Sequence, residues 1–131
     1  MKLILLVEDD PGRAARIQSC IPAEARCIWA RSAGAAIGIL KRDAFVCVFL
    51  DHDLEAHSES SNLDGRAVAR AVAQTQSRET CSVLIHSQNV IGGPAMVSFL
   101  RESVFRVERC PWSEDAGPVM REWLVENLKD D

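Results

Sequence analysis

The sequence lacks any hydrophobic segment long enough to cross a membrane. No apolar run in the 131 residues approaches the ~20 residues that a membrane-spanning helix needs. The apolar start, residues 3–7, runs directly into Glu8-Asp9-Asp10 and has no small-residue cleavage site of the kind that follows a secretion signal. We therefore expect a cytoplasmic protein with no membrane partner.

The cysteines do not form a disulfide or zinc pattern. They number five, are scattered along the chain and include no Cys-x-x-Cys pair. Cys27, Cys47 and Cys81 lie within apolar runs. This placement predicts small buried hydrophobic side chains in a reducing compartment rather than disulfides.

Lysine is also scarce. The formal net charge is -4 and the chain has only three lysines, Lys2, Lys41 and Lys129. An extended nucleic-acid groove needs a basic face, so this kind of binding is excluded. Binding of a single phosphate, or of one nucleic-acid end, remains open.

The composition is that of a soluble globular protein. The chain is 47% apolar and 26% charged, and its length suits one hydrophobic core. Internal repeats and long linkers are absent from the sequence. We expect residues 1–131 to form a single domain.

Five short apolar blocks alternate with five helical patterns along the chain. The blocks that predict strands are residues 3–7, 26–30, 45–50, 82–85 and 104–107. Helices are predicted after Asp10-Pro11, from Ser32, from Asp64, after Gly92-Gly93-Pro94, and from about residue 115 to 128, the last with Val119, Trp123 and Leu128 facing inward. This alternation predicts an α/β fold whose parallel sheet is covered on both faces.

Ionisable and polar residues follow several of these strands. In such sheets the functional crevice lies outside the carboxyl ends of the strands. The residues found there are Glu8, Asp9 and Asp10; Asp51, His52 and Asp53; His86, Ser87 and Asn89; and Glu108, Arg109 and Cys110. We expect them to meet along one rim.

Four segments resemble the receiver domain of bacterial response regulators: "LILLVEDDPGRAARI", "VFLDHDL", "LDG" and "VLIHSQN". The resemblance covers nearly the whole chain and implies a doubly wound, flavodoxin-like sheet in the order 2-1-3-4-5, with two helices on one face and three on the other. It further implies that Asp9 and Asp10 help to bind Mg²⁺, that Asp51 is the phosphoacceptor and that Asp53 is at the metal. Ser87 matches the hydroxyl residue after strand four.

The chain departs from the receiver pattern at two positions. A receiver has a lysine after strand five, just before a proline, and here Cys110 precedes Pro111. None of the three lysines can reach the rim in this topology. Val107 stands in place of the aromatic switch residue of strand five. A conventional phosphorylation switch is therefore expected to be impaired.

Two further motifs, "LDHDL" and "IHSxN", are similar to those of cyclic-phosphate processing receiver domains. That resemblance implies that His52 and His86, together with Asp51, process a cyclic phosphate. The substrate class would be a small phosphate-containing molecule or an RNA end, such as a 2′,3′-cyclic phosphate.

The residues support this chemistry without the resemblance. Converging carboxylates suit a hard cation such as Mg²⁺, so that Asp9, Asp10, Asp51 and Asp53 are candidate ligands. Two histidines that titrate near neutrality can act as general base and general acid. We expect Ser87, Asn89 and Arg109 to bind phosphate oxygens.

Simpler interpretations stay open for several residues. Asp9 and Asp10 could cap the first helix, His86 could be a satisfied core histidine, and Asn89 could cap a turn. Arg13, Arg66 and Arg109 could steer a phosphate, although a solvated face is the default for each, and His57 is expected in a polar loop.

Three functions follow from these readings: a phosphoesterase or cyclic-phosphate binding domain, a receiver phosphorylated on Asp51, or a receiver-like module that only docks proteins. In each case we expect a protein partner to supply the effector function, because the sequence contains no effector domain.

Overall fold

The computed structural model describes residues 2–54 and 64–128, and within them the chain forms a five-stranded parallel sheet. The strands are β1 (Lys2–Val7), β2 (Ala25–Ala30), β3 (Cys47–Leu50), β4 (Ser82–Ile85) and β5 (Arg106–Arg109). Their order in the sheet is β2-β1-β3-β4-β5, as expected for a doubly wound, flavodoxin-like fold. His57 and Lys129 lie outside the described residues.

Three of the five described helices begin at a residue whose side chain caps them. The helices are α1 (Pro11–Gln18), α2 (Ala33–Leu40), α3 (Gly65–Thr75), α4 (Gly92–Glu102) and α5 (Ala116–Asn127). The side chains of Asp10, Ser32 and Asp64 accept backbone N–H groups of the first turns of α1, α2 and α3, at 2.8, 3.1 and 2.9 Å. These bonds satisfy N–H groups that have no partner within the helix.

The hydrophobic core has two layers, one on each face of the sheet. Side chains of α2, α3 and α4 pack on one face, and those of α1 and α5 pack on the other. The two-plus-three arrangement expected from the sequence is confirmed. Strands β3 and β4 are buried along their whole length, which explains why their sequences are continuously apolar instead of alternating.

The inward face of α5 differs from the expectation in one respect. Val119 was expected to face inward, but it is 52% exposed. The buried residues of α5 are Ala116, Met120 and Leu124, spaced four apart along one side of the helix. Trp123 and Leu128 are partly buried against the same cluster. The helical phase is therefore set by the methionine and leucine, and Val119 lies outside their stripe.

Strand β5 begins two residues later than the sequence pattern indicated. Val104, the expected first residue, has a left-handed backbone (φ 67°) and is 68% exposed. Its N–H donates to the carbonyl of Arg101 in the turn that ends α4. A turn at this point shifts the strand, so that Glu108 and Arg109 lie within β5 and Cys110 is the first residue after it.

Among the described residues, none of the helices is long and apolar enough to cross a membrane.

Candidate functional site

Three buried side chains meet at the carboxyl ends of the three central strands. Val7, Leu50 and Ile85 are in register across β1, β3 and β4, so the next residues, Glu8, Asp51 and His86, lie side by side. Their ligand atoms all lie within 4.8 Å of one another. The exposed fractions are 0% for Glu8, 6% for Asp51 and 1% for His86. We call these three residues the acid–histidine cluster.

Glu8 is the most heavily hydrogen-bonded member of the cluster. Its Oε1 lies 3.1 Å from His86 Nε2 and 3.1 Å from Arg13 Nε. Its Oε2 accepts from the Asp10 backbone N–H at 3.0 Å and from Arg13 Nη2 at 3.4 Å. Burial alone would raise the pKa of the Glu8 carboxyl, but the bonds from His86 and from the Asp10 N–H outweigh it, and the pKa falls to about 2. Glu8 is therefore ionised at neutral pH.

The pKa of the Asp51 carboxyl is shifted in the opposite direction from that of Glu8. Asp51 Oδ1 accepts the backbone N–H of His52 at 2.8 Å. Burial raises the pKa of the Asp51 carboxyl, the charge of Glu8 raises it further, and the groups around it only partly offset these effects. The surroundings of the β3 tip thus disfavour the charged form of Asp51 unless a further cation is present.

The hydrogen bond between His86 and Glu8 determines which ring nitrogen carries the proton. An ionised carboxylate only accepts hydrogen bonds, so His86 Nε2 is the donor. In the neutral ring Nδ1 then holds the lone pair. Nδ1 is buried and has no hydrogen-bond partner among the described residues. Nδ1 is thus the ring nitrogen that is not engaged with Glu8.

A small polar cavity of about 50 Å³ opens beside the cluster. Its lining combines charged and polar groups with one tryptophan: Glu8, Arg13, Asp51, Asp53, His86, Gln88 and Trp112. Arg13 is the one cationic side chain of this lining in the part of the chain described here. The structure therefore brings two of the expected catalytic residues, Asp51 and His86, to the same cavity.

His52 does not line this cavity but contacts Asp53, the exposed residue of the lining that we call its mouth. Its Nδ1 is 2.8 Å from Asp53 Oδ1, and its Nε2 is 3.5 Å from Asp64 Oδ2. The bond from His52 lowers the pKa of the Asp53 carboxyl. Asp53 is 68% exposed and also lines the cavity. It therefore connects His52 to the acid–histidine cluster.

Ser87 and Asn89 shape the loop between β4 and α4. Ser87 is 1% exposed and its Oγ accepts the Asn89 backbone N–H at 3.0 Å. Asn89 Oδ1 accepts the N–H groups of Ile91 and Gly92, at 3.0 and 2.6 Å, at the start of α4. Its Nδ2 donates to Asp53 Oδ1 at 3.1 Å. Asn89 thus caps a turn, as the simpler reading held, and also orients Asp53.

Arg109 supports the same loop from the β5 side. Its Nη2 donates to the backbone carbonyls of Ser87 and Asn89, at 3.1 and 3.3 Å. A Cβ atom at Gly93 would lie 2.6 Å from Arg109 Nε, so the guanidinium packs directly on the start of α4. Arg109 is not among the residues that line the cavity.

The acidic residues after β1 separate into different roles. Asp10 is half exposed and caps α1. The Asp9 side chain is 10% exposed, and its Oδ1 lies 4.0 Å from Arg13 Nη2. Sequence reasoning placed Glu8 on the rim but named only Asp9 and Asp10 as metal ligands, and it took a solvated face as the default for Arg13. The signal for Glu8 was positional, because it follows β1 directly, as Asp51 follows β3 and His86 follows β4.

The described lysines are far from the cavity. Lys2 begins β1 at the opposite edge of the sheet and donates to the Leu128 carbonyl. Lys41 is the C-cap residue of α2. Cys110, which follows β5, is half buried, and burial raises the pKa of its thiol. This arrangement agrees with the expectation that no described lysine reaches the rim.

The donor set at the cluster fits a divalent cation. Glu8 and Asp51 offer carboxylate oxygens, the ligands that Mg²⁺ prefers. A cation between them would neutralise the charge that raises the pKa of Asp51. A Mg²⁺ ion bound by few protein ligands keeps several waters, and the adjoining cavity is polar.

The family model for the cyclic-phosphate processing receiver domain matches residues 3–102. No curated protein matches the chain significantly. Among solved structures, the Mn²⁺-bound form of response regulator Rcp1 is 20% identical, has a TM-score of 0.71 and is matched over 100% of this chain and 97% of that chain. At this identity the likeness concerns the fold alone.

Two other solved structures have the same fold. The phosphorylated cyanobacterial phytochrome response regulator RcpA is 16% identical over 98% of this chain and 94% of that chain, with a TM-score of 0.70. A CheY-like receiver domain protein from Methanospirillum hungatei JF-1 is 17% identical over 100% of this chain and 99% of that chain, with a TM-score of 0.67. The architecture is thus that of a response regulator receiver domain.

Proposed function

This chain belongs to the family of cyclic-phosphate processing receiver domains, and from that premise we propose that it binds and hydrolyses a cyclic phosphate ester. The substrate class is a 2′,3′-cyclic phosphate on a nucleotide or at an RNA end. The observation that carries the proposal is His86, whose Nε2 is bonded to ionised Glu8 while Nδ1 is buried without a hydrogen-bond partner among the described residues.

We assign the divalent cation of this proposal to Glu8 and Asp51, with Asp9 beside them. Bound there, Mg²⁺ would neutralise the phosphate and polarise its oxygens. Asp10 and Asp53 remain predicted ligands as well, although Asp10 caps α1 and Asp53 lies at the mouth. Isothermal titration of single Asp→Asn variants with Mg²⁺ distinguishes ligands from bystanders.

His86 acts in this scheme as the general base. Its Nδ1 takes a proton from a water, and the resulting hydroxide forms a new P–O bond at the phosphorus. The imidazolium that results keeps its Nε2–H bond to Glu8, whose negative charge stabilises it. This pairing follows the general arrangement of a base oriented by a carboxylate.

His52 acts as the general acid. One P–O bond of the ring breaks, and the leaving alkoxide takes a proton from the protonated His52, which Asp53 and Asp64 orient. The product is a phosphate monoester with one free hydroxyl. Ser87, Asn89 and Arg109 remain predicted phosphate contacts, with Asn89 the nearest to the mouth through its bond to Asp53.

We predict that His86→Ala and His52→Ala each lower the rate of 2′,3′-cyclic nucleotide hydrolysis by about 10²–10⁴, the usual effect of losing a general acid or base. Product analysis with Mg²⁺ and with chelator measures this. Glu122→Gln, at an exposed position of α5 outside the cavity lining, is the control. Full activity of either histidine variant, or no hydrolysis by the wild type, contradicts the proposal.

A second candidate function is phosphorylation of Asp51. Asp51 lies at the tip of β3 in a receiver fold, and the related fold of RcpA is known in a phosphorylated form. Acetyl phosphate with Mg²⁺ would then leave a hydroxylamine-sensitive adduct that is absent from Asp51→Asn. A strong adduct, together with full activity of both histidine variants, would favour this function over hydrolysis. Either function would suit a protein partner that supplies an effector.

A further inference from the structure

The carboxylate of Glu8 is already engaged by several donors. A carboxylate offers about four lone-pair sites, and Glu8 accepts hydrogen bonds from His86 Nε2, the Asp10 backbone N–H and Arg13 Nη2. Arg13 Nε forms an ion pair with Oε1 at 3.1 Å. A cation that approaches Glu8 therefore competes with these donors.

The three groups that donate to Glu8 differ greatly in how easily a cation could displace them. The Asp10 N–H belongs to the backbone at the start of α1, and His86 is 1% exposed. Arg13 has a long side chain that is 33% exposed. It also lies near two other carboxylates, 4.0 Å from Asp9 Oδ1 and 3.9 Å from Asp10 Oδ2. Arg13 is the donor that can move while the fold stays intact.

Arg13 also lines the cavity in which a phosphate would lie. A guanidinium presents five N–H donors in a planar fork that matches phosphate oxygens. The described lysines lie elsewhere, at the start of β1 and the end of α2. The only described cation at the cavity is thus paired with an acidic residue of the proposed metal site.

We propose that Arg13 is an internal counter-ion with two partners: it neutralises Glu8 when no divalent cation is bound, and it binds the phosphate when the cation takes its place at Glu8 and Asp51. The first half depends only on the contacts of Glu8. The second half rests on the proposed function, because it assumes that a phosphate enters the cavity.

Coupling between metal and phosphate follows from this exchange. The metal must displace the guanidinium, so part of its binding energy is spent on breaking the Arg13–Glu8 pair. The displaced guanidinium then adds a cation for the phosphate. Because linkage is reciprocal, phosphate must raise the affinity for Mg²⁺ by the factor by which Mg²⁺ raises the affinity for phosphate.

Isothermal titration with Mg²⁺ alone tests the first half. Arg13→Ala should bind Mg²⁺ roughly tenfold more tightly than the wild type, because the charged hydrogen bonds that compete at Glu8 are gone. Arg16→Ala is the matched control, since Arg16 lies one turn further along α1 and is exposed. The Mg²⁺ affinity of Arg16→Ala should stay within about twofold of the wild-type affinity. This small change measures the effect of losing a nearby positive charge alone. Equal or weaker Mg²⁺ binding by Arg13→Ala would overturn the exchange.

Titration with inorganic phosphate at saturating Mg²⁺ tests the second half. Arg13→Ala should lose roughly tenfold in phosphate affinity, and Arg13→Lys should recover part of the loss, because an ammonium keeps the charge without the fork. If phosphate binds Arg13→Ala as tightly as the wild type, Arg13 is no phosphate ligand. Neither arm requires turnover, so a wild type that binds Mg²⁺ and phosphate but hydrolyses no cyclic nucleotide would refute the proposed hydrolysis and leave the exchange intact.

A measurement on the wild type covers the case in which Arg13→Ala does not fold. The NMR signal of Arg13 Nε–H, assigned with Arg13→Lys, should shift when Mg²⁺ is added and shift again with phosphate. A signal that stays constant through both additions would overturn the proposal.

Discussion

Glu8 is a buried carboxylate whose pKa falls from 4.5 to about 2 on folding. A lowered pKa contributes stability that is fully present above the unfolded pKa and is lost as the pH falls toward the folded one. A carboxyl pKa lowered from 4.5 to about 2 corresponds to roughly 3 kcal/mol of stability at neutral pH. The free energy of unfolding should therefore decrease between pH 4.5 and about pH 2 in part because of this single residue.

Replacement of Glu8 by glutamine removes this contribution. We expect Glu8→Gln to lower the free energy of unfolding at pH 7 by roughly 3 kcal/mol, with the difference from the wild type vanishing near pH 2. Urea unfolding at a series of pH values in chelator measures it. Glu122→Gln, at an exposed position of α5, is the control and should leave the profile unchanged. A difference in the free energy of unfolding between the wild type and Glu8→Gln that stays the same at every pH would contradict the assignment.

Helix α3 begins in direct contact with the tip of β3. A Cβ atom at Gly65 would lie 2.2 Å from the Asp51 carbonyl oxygen and 2.6 Å from His52 Cα. The Gly65 N–H donates to the His52 carbonyl at 2.9 Å. This close backbone contact positions the strand tip that carries Asp51 and His52.

Two glycine-to-alanine changes separate this contact from ordinary helix propensity. Gly65→Ala should lower the free energy of unfolding by about 2–3 kcal/mol, because backbone must move to admit the methyl group. Gly38→Ala, at an exposed position of α2 where a Cβ atom would meet nothing within 4 Å, should raise it by about 0.5–1 kcal/mol, the usual helix preference of alanine. Thermal unfolding of both variants checks the opposite signs, and two shifts of the same sign would refute the argument.

At the scale of the whole molecule, two cysteine thiols are buried at the central strands of the sheet. Cys47 and Cys81 are fully buried, and burial raises the pKa of each thiol to about 12. The thiolate is the species that reacts with alkylating reagents. These two cysteines should therefore react with iodoacetamide only through opening of the sheet core.

Peptide mapping by mass spectrometry measures the order of labelling. Cys110 and Cys27, both half buried, should be labelled first in the folded protein, while Cys47 and Cys81 require denaturant. The pKa of Cys27 is raised only to about 11, and its strand is at the edge of the sheet. Labelling of Cys47 at the rate of Cys110 without denaturant would show that the central strands open locally.

The sequence by itself determined the architecture and most of the rim. Continuous apolar blocks that alternate with capped helical patterns allow few arrangements other than a parallel sheet, and the order 2-1-3-4-5 came from the resemblance to receivers. The carboxyl ends of parallel strands meet at one edge, so Asp51 and His86 could be placed together before their contacts were known. Strand β5 and the inward face of α5 were less predictable, because Val104 and Val119 are apolar but exposed.

Only the tertiary structure decided which role each polar side chain of the rim has. Three consecutive acidic residues follow β1, and local sequence does not tell which one turns inward. The strand register places Glu8 beside Asp51 and His86, while the helix start commits Asp10 to capping. Likewise, the two-residue shift of β5 lets Arg109 donate to the backbone of the β4–α4 loop. The first turn of α1 places Arg13 beside the Glu8 carboxylate. These outcomes depend on where segments distant in sequence come within hydrogen-bond distance, and pattern and spacing do not encode that distance.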